Sequence, residues 1–91
     1  MALPPPGSVL PSMTRILILY SGAGCHLCDQ ARHVIYSVLG PGWSLREVDV
    51  RADAVLSERY GLRIPVVAVE GGGEKGWPFS AGQLRRLMEG S

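Results

Sequence analysis

The sequence lacks a long hydrophobic run, a charge of one sign, a basic leader and any cysteine beyond two. Without about 18 consecutive apolar residues a membrane-spanning helix is excluded. A formal net charge of +1 gives a weak long-range field, so neither nucleic acid nor an anionic membrane is an expected partner. The opening "MALPPPGSVLPSM" has no basic residue near its start, and its prolines interrupt any apolar core. It fails as a secretory signal and reads as a flexible tail over residues 1–13. With no signal and only two cysteines, a disulfide-stapled secreted scaffold is excluded and the cytoplasm is the expected compartment. There, a close cysteine pair points to catalysis or metal binding.

What is present suits one small domain over residues 14–91. The chain has 91 residues, 46% of them apolar and 19% charged, and a chain this short builds a single core. Its basic residues are mostly arginines, scattered from Arg15 to Arg86, and read as solvated surface.

"TRILILYS" is a continuous apolar run suited to a strand buried on both faces. Gly22, Ala23 and Gly24 form a loop. From Leu27 apolar residues recur at Ala31, Val34, Ile35 and Val38, the spacing of an amphipathic helix, until "GPG" stops it. "WSLREVDV" reads as a strand of uncertain facing, because Leu45 is out of phase with Val48 and Val50. Asp53 can cap a short helix toward Tyr60, with Gly61 as a left-handed terminator. "VVAVE" after Pro65 is a third strand, "GGGEKG" a loop, and "WPF" the expected start of a fourth, tolerable with Pro78 at an edge or an end. Ser80 and Gln83 form a capping pattern before a closing helix whose inner face is Leu84, Leu87 and Met88. The order is β-α-β-α-β-β-α, an α/β fold.

Both cysteines, Cys25 and Cys28, stand at the junction of the first strand and helix. Unpaired N–H groups at a helix start favour an anion, and a thiolate is the anion on offer. A free cysteine titrates near about pH 8.5, and this location commonly lowers that value. Cys25 is the expected nucleophile, and Cys28, one turn on and on the same helical side, the residue that resolves its mixed disulfide. His26, as imidazolium, would add positive charge beside Cys25; a plain exposed polar residue explains it equally. Asp29 would oppose thiolate formation. Pro65, directly before a buried strand, is compatible with a cis Ile64–Pro65 bond that exposes the Ile64 backbone to an extended peptide, or with a trans proline opening a strand.

Together, "LYSGAGCHLCDQA", the later "RIPVV" and the terminal helix resemble the thioredoxin fold. They resemble most closely the small bacterial glutaredoxin-like proteins. The resemblance implies a central four-stranded mixed sheet flanked by helices, a redox centre at Cys25 and Cys28, and a cis Ile64–Pro65 bond facing it. Tyr20 and Arg63 match positions near the family's substrate groove, and the helix N-terminus at Ser80 could receive a carboxylate. It further implies a monomer without a tightly bound cofactor, with glutathione or thioredoxin reductase as electron donor, acting on a disulfide-bearing protein or small thiol, and serving cell redox homeostasis. The chain departs from typical glutaredoxins in having His26-Leu27 between the cysteines and Phe79-Ser80 where a Gly-Gly and an acidic residue stand in that family.

Two other readings use the same residues. Two thiolates and His26 offer three ligands, short of the four that tetrahedral zinc takes, so a metal or iron-sulfur centre would have to bridge two chains. A binding module would instead present Trp77, Phe79 and the Arg85-Arg86 pair to a partner.

Overall fold

The computed structural model describes residues 15–90, so the expected tail over 1–13 lies outside the described residues. Strand β1, Arg15–Ser21, leads through a loop to helix α1, His26–Val38, and then to β2, Trp43–Asp49. A short 3-10 turn, Val50–Ala52, precedes α2, Ala54–Tyr60. Strands β3, Val66–Val69, and β4, Glu74–Gly76, form a hairpin, and α3, Ala81–Glu89, closes the chain. The strand order is β2-β1-β3-β4, with β1 parallel to β2 and antiparallel to β3. This is the mixed four-stranded α/β arrangement of the thioredoxin fold. No helix among the described residues is long and apolar enough to cross a membrane.

The central strand β1 shows why both of its faces are apolar. Leu17 and Leu19 pair with Val69 and Val67 of β3 and point, by the strand's alternation, into a core with Ala31 and Ile35 of α1 and Leu84 and Met88 of α3. Tyr20 points the other way, into a second cluster of Val50, Tyr60 and Val66 beneath α2. The phase break in "WSLREVDV" falls on β2. Trp43 and Leu45 pack against the α1–α3 core, and Val48, of opposite parity, is the β2 partner of Tyr20. β2 is a border strand, so each of its faces is mixed: Ser44 and Arg46 are exposed on the side of Val48, Glu47 and Asp49 on that of Trp43 and Leu45.

Two local expectations are corrected. Gly61 is right-handed, with φ −53° and ψ −34°. The need for glycine there is one of space, since a Cβ would collide with the Ser57 carbonyl oxygen, onto which the Gly61 N–H closes at 2.8 Å. The last strand begins at Glu74 rather than at "WPF". Gly71, at φ 78°, tightens the turn so that the Val69 N–H reaches the Gly73 carbonyl at 2.8 Å, and pairing resumes at once. Pro78 therefore falls past the strand's end, in a cis Trp77–Pro78 bond. The aromatics after the hairpin pack rather than project: Phe79 is 4% exposed, and Trp77 meets its ring edge-on at 5.0 Å while packing against the core.

The capping pattern at α3 is complete. The Ser80 hydroxyl accepts from the Gln83 N–H at 3.1 Å, and the Gln83 side chain accepts from the Ser80 N–H at 3.0 Å. Asp53 caps α2 likewise, through the Val55 and Leu56 N–H groups.

Candidate active site

The loop from β1 to α1 takes its shape from two glycines. Gly24 has φ 72°, a left-handed conformation that a side chain disfavours. Gly22 lies close under Ile64: a Cβ there would stand 2.9 Å from Cδ1, the movable end of that side chain. The loop turns on a hydrogen bond from the Cys25 N–H to the Gly22 carbonyl at 3.3 Å. It delivers Cys25 to the N-cap of α1, where its sulfur accepts from the Cys28 N–H at 3.3 Å. The two cysteines are joined as a disulfide, with Cα atoms 5.2 Å apart. Cys28 is fully buried, whereas Cys25 is half-exposed and opens on a cleft of about 320 Å³. That cleft is lined by residues 22 to 26 with Asp29 and Arg32. The geometry offers an incoming molecule one sulfur and withholds the other.

The remaining predicted site residues fall in three places. His26 is exposed on the cleft wall. Ile64 abuts Gly22, in a cis Ile64–Pro65 bond, with Pro65 buried. The Pro65 carbonyl accepts from the Trp77 N–H at 3.0 Å, while no hydrogen bond within the described residues engages the Ile64 backbone. Tyr20 is not in the cleft; it stacks on Tyr60 at 4.3 Å and packs beside Ile64 on the α2 side. Ser80 is likewise outside the cleft lining, and its hydroxyl and N–H are occupied by the capping box.

Reading the arginines as solvated surface missed a charge cluster on the cleft's edge. Arg32 donates from Nε and Nη2 to the two oxygens of Glu47, each at 2.6 Å, and from Nη1 to Asp29. The buried Ser21 hydroxyl donates to the same Glu47 carboxylate at 3.0 Å. Asp29, expected as a bare negative charge beside Cys28, is therefore paired. Its spacing from Arg32, three positions along a helix, was a legible signal; the Ser21 and Glu47 partners, on neighbouring strands, gave none. Arg51 was missed too: its Nη2 donates to the Ala23 carbonyl at 3.3 Å and clasps the loop from the α2 side.

The Arg32 hydrogen bonds outweigh burial and, with the Ser21 hydroxyl, hold the Glu47 carboxyl below its usual range. A depressed carboxylate stabilises the fold above its unfolded pKa, and the contribution is lost as pH falls through the folded value. Replacing Arg32 with glutamine should therefore lower the urea midpoint at about pH 7, and the gap from the parent protein should narrow toward about pH 3. Glu47 is partly exposed and screened, so the gap is modest. A gap that keeps its size across this range would remove Glu47 from the explanation.

Comparison with known proteins bears on the fold and the family. The X-ray structure of target protein XcR50 from X. campestris is 38% identical to this chain, with a TM-score of 0.73, covering 82% of this chain and 97% of that one. The solution structure of XcR50 gives 37% identity and a TM-score of 0.71, covering 82% and 94%. A structure described as a malarial protein shares the fold, at 16% identity and a TM-score of 0.57, over 85% of this chain and 96% of that one. Among curated proteins none matches the chain. The model of the glutaredoxin-like domain (DUF836) matches residues 16–89. Spanning nearly all of the described fold and including both cysteines, that match makes this chain a member of the glutaredoxin-like domain family.

Proposed function

We propose that the protein is a thiol-disulfide oxidoreductase working through Cys25 and Cys28. The observation that carries this reading is the asymmetry of the pair: Cys25 at a helix N-cap on an open cleft, Cys28 fully buried within bonding distance behind it. The helix N-terminus stabilises the Cys25 thiolate relative to the thiol. That thiolate attacks one sulfur of a substrate disulfide; the substrate's other sulfur leaves as a thiolate and takes a proton from water. Cys28 then loses its proton and attacks the Cys25 sulfur, releasing the second substrate thiol and leaving the Cys25–Cys28 disulfide. Two electrons pass from the protein to the substrate. A thiol donor such as glutathione returns them, two molecules being oxidised to one disulfide in each cycle.

The substrate is a disulfide-bearing protein or a small thiol in disulfide form. The unengaged Ile64 backbone, whose side chain lies against Gly22 of the active loop, supports its docking as a short extended strand. The working unit is one chain, in the cytoplasm, and its role is redox homeostasis.

The test is Cys28→Ser. Incubated with a cell extract, this variant should accumulate partners bound through Cys25, released by reductant and identified by mass spectrometry. In the reduced parent protein Cys25 should alkylate faster near neutral pH than a cysteine in an unstructured peptide. Ordinary alkylation together with no trapped species would end the proposal.

A further inference from the structure

On the α2 side of the active loop two exposed arginines share a single carboxylate. Arg59 and Arg63, at the end of α2 and just past it, hold their guanidinium carbons 5.3 and 5.8 Å from the centre of the Tyr60 ring. Both reach one carboxylate, Glu74, at 3.8 and 3.5 Å. That carboxylate already accepts from the Tyr60 hydroxyl at 3.0 Å. One acid thus serves two guanidinium groups at long range, and their side chains remain 65% and 56% exposed. Nearby acids are engaged elsewhere: Asp53 caps the opposite end of α2, and Asp49 accepts from the Arg51 N–H. Glu58 is exposed on α2, with no partner to hold it toward this patch.

Between Arg63 and Tyr60 stands Leu62, fully exposed. A leucine so presented gains contact only from an apolar side chain brought to it. Ile64 follows, its backbone unengaged and its side chain against Gly22. Because Val66 pairs with Tyr20, Ile64 lies near the end of β1 that leads to Cys25, with Arg63 next to it in the chain.

We propose that this surface selects protein substrates whose disulfide cysteine lies in an extended acidic segment, with backbone beside Ile64, an apolar side chain on Leu62 and an aspartate or glutamate received by Arg59 and Arg63. The proposal rests on Cys25 as the attacking sulfur and names the substrate class. Glutathione carries carboxylates but no apolar side chain, so it would use only part of the surface. Charge pairs on an exposed rim act mainly on the rate of encounter, are weakened by salt, and change it by a factor of a few.

The experiment uses the reduced full chain and two peptides of equal length, each with one cysteine as its 2-thiopyridyl disulfide and one leucine. One peptide carries glutamates beside the cysteine, the other lysines. Release of thiopyridone should be about fivefold faster from the glutamate peptide at low salt. The difference should vanish in Arg59→Ser/Arg63→Ser and shrink in about 0.5 M salt. Leu62→Ser should slow both peptides alike and leave glutathione disulfide unaffected. Equal rates for the two peptides, or a difference that survives in the double variant, overturns the proposal. So does an unchanged rate for both peptides in Leu62→Ser. Should Cys25 react with both peptides no faster than an unstructured thiol, the catalytic reading fails separately. Anisotropy of the same peptides with serine for cysteine then decides the surface: tighter binding of the glutamate peptide, lost in the double variant, supports it, and equal binding overturns it.

Discussion

Replacing Cys25 with serine is expected to reduce disulfide reductase activity at least about a thousandfold, because a hydroxyl at this position is not ionised near neutral pH and is a poor nucleophile toward sulfur. Cys28→Ser should behave differently. It leaves the first displacement intact, so one equivalent of substrate thiol should appear in a burst and turnover should then stall, unless an external thiol resolves the mixed disulfide. The asymmetry follows from position. Cys25 sits at the helix cap on the cleft, and Cys28 lies behind it with no exposed surface. A measured burst from Cys25→Ser, or equal initial rates in the two variants, would reverse the assignment of roles. The loss in Cys25→Ser concerns chemistry alone, so its urea midpoint under reducing conditions should stay close to that of the parent.

The second large effect is on stability. Ile35 lies two turns beyond Cys28 on the buried face of α1, fully enclosed and packed in the core that Leu17, Leu19, Val67 and Leu84 also build. Ile35→Ala removes buried methylenes and leaves a cavity that a sheet and two helices cannot readily collapse, at about 3 kcal/mol. A small domain holds about 5–15 kcal/mol in all, so the urea midpoint should fall by a large fraction of its value. Leu27→Ala is the control. Leu27 also belongs to α1 but is 44% exposed, and its truncation should leave the midpoint nearly unchanged. Equal midpoints for the two variants would contradict the packing described for α1.

The redox pair was legible because its signal is local. Cys25 and Cys28 stand one helical turn apart, after an apolar strand and before an amphipathic helix, all within one short stretch. The capping box at Ser80 and Gln83 was legible for the same reason. Residues whose roles depend on pairing between distant strands were not. Glu47 looks like any surface acid until β2 lies beside β1 and brings it to Ser21 and Arg32. The facing of β2 was ambiguous because alternation identifies a face only when one is apolar throughout, and on this border strand half-buried and exposed residues occur on both. The last strand was misplaced because glycines were read as a loop of their own length. In fact Gly71 completes the turn early enough for Glu74 and Lys75 to pair with Ala68 and Val67. Tyr20, expected near the groove, is instead stacked on Tyr60, a partner that arrives from α2 and leaves no local signal beside Tyr20.

The strand order places β2 and β4 at the two borders of the sheet, and these borders bear on how the chain behaves at high concentration. An unpaired strand border is a template for adding further chains, and proteins blunt it with brevity and charge. β4 has only three residues, of which Glu74 and Lys75 are charged, and Pro78 follows at once with no N–H to donate. β2 is longer but carries the charged pair Arg46 and Glu47, both exposed in part, with Glu47 held by Arg32. The brevity and charge of β4, with a proline just past its end, therefore deny a growing aggregate its first rung.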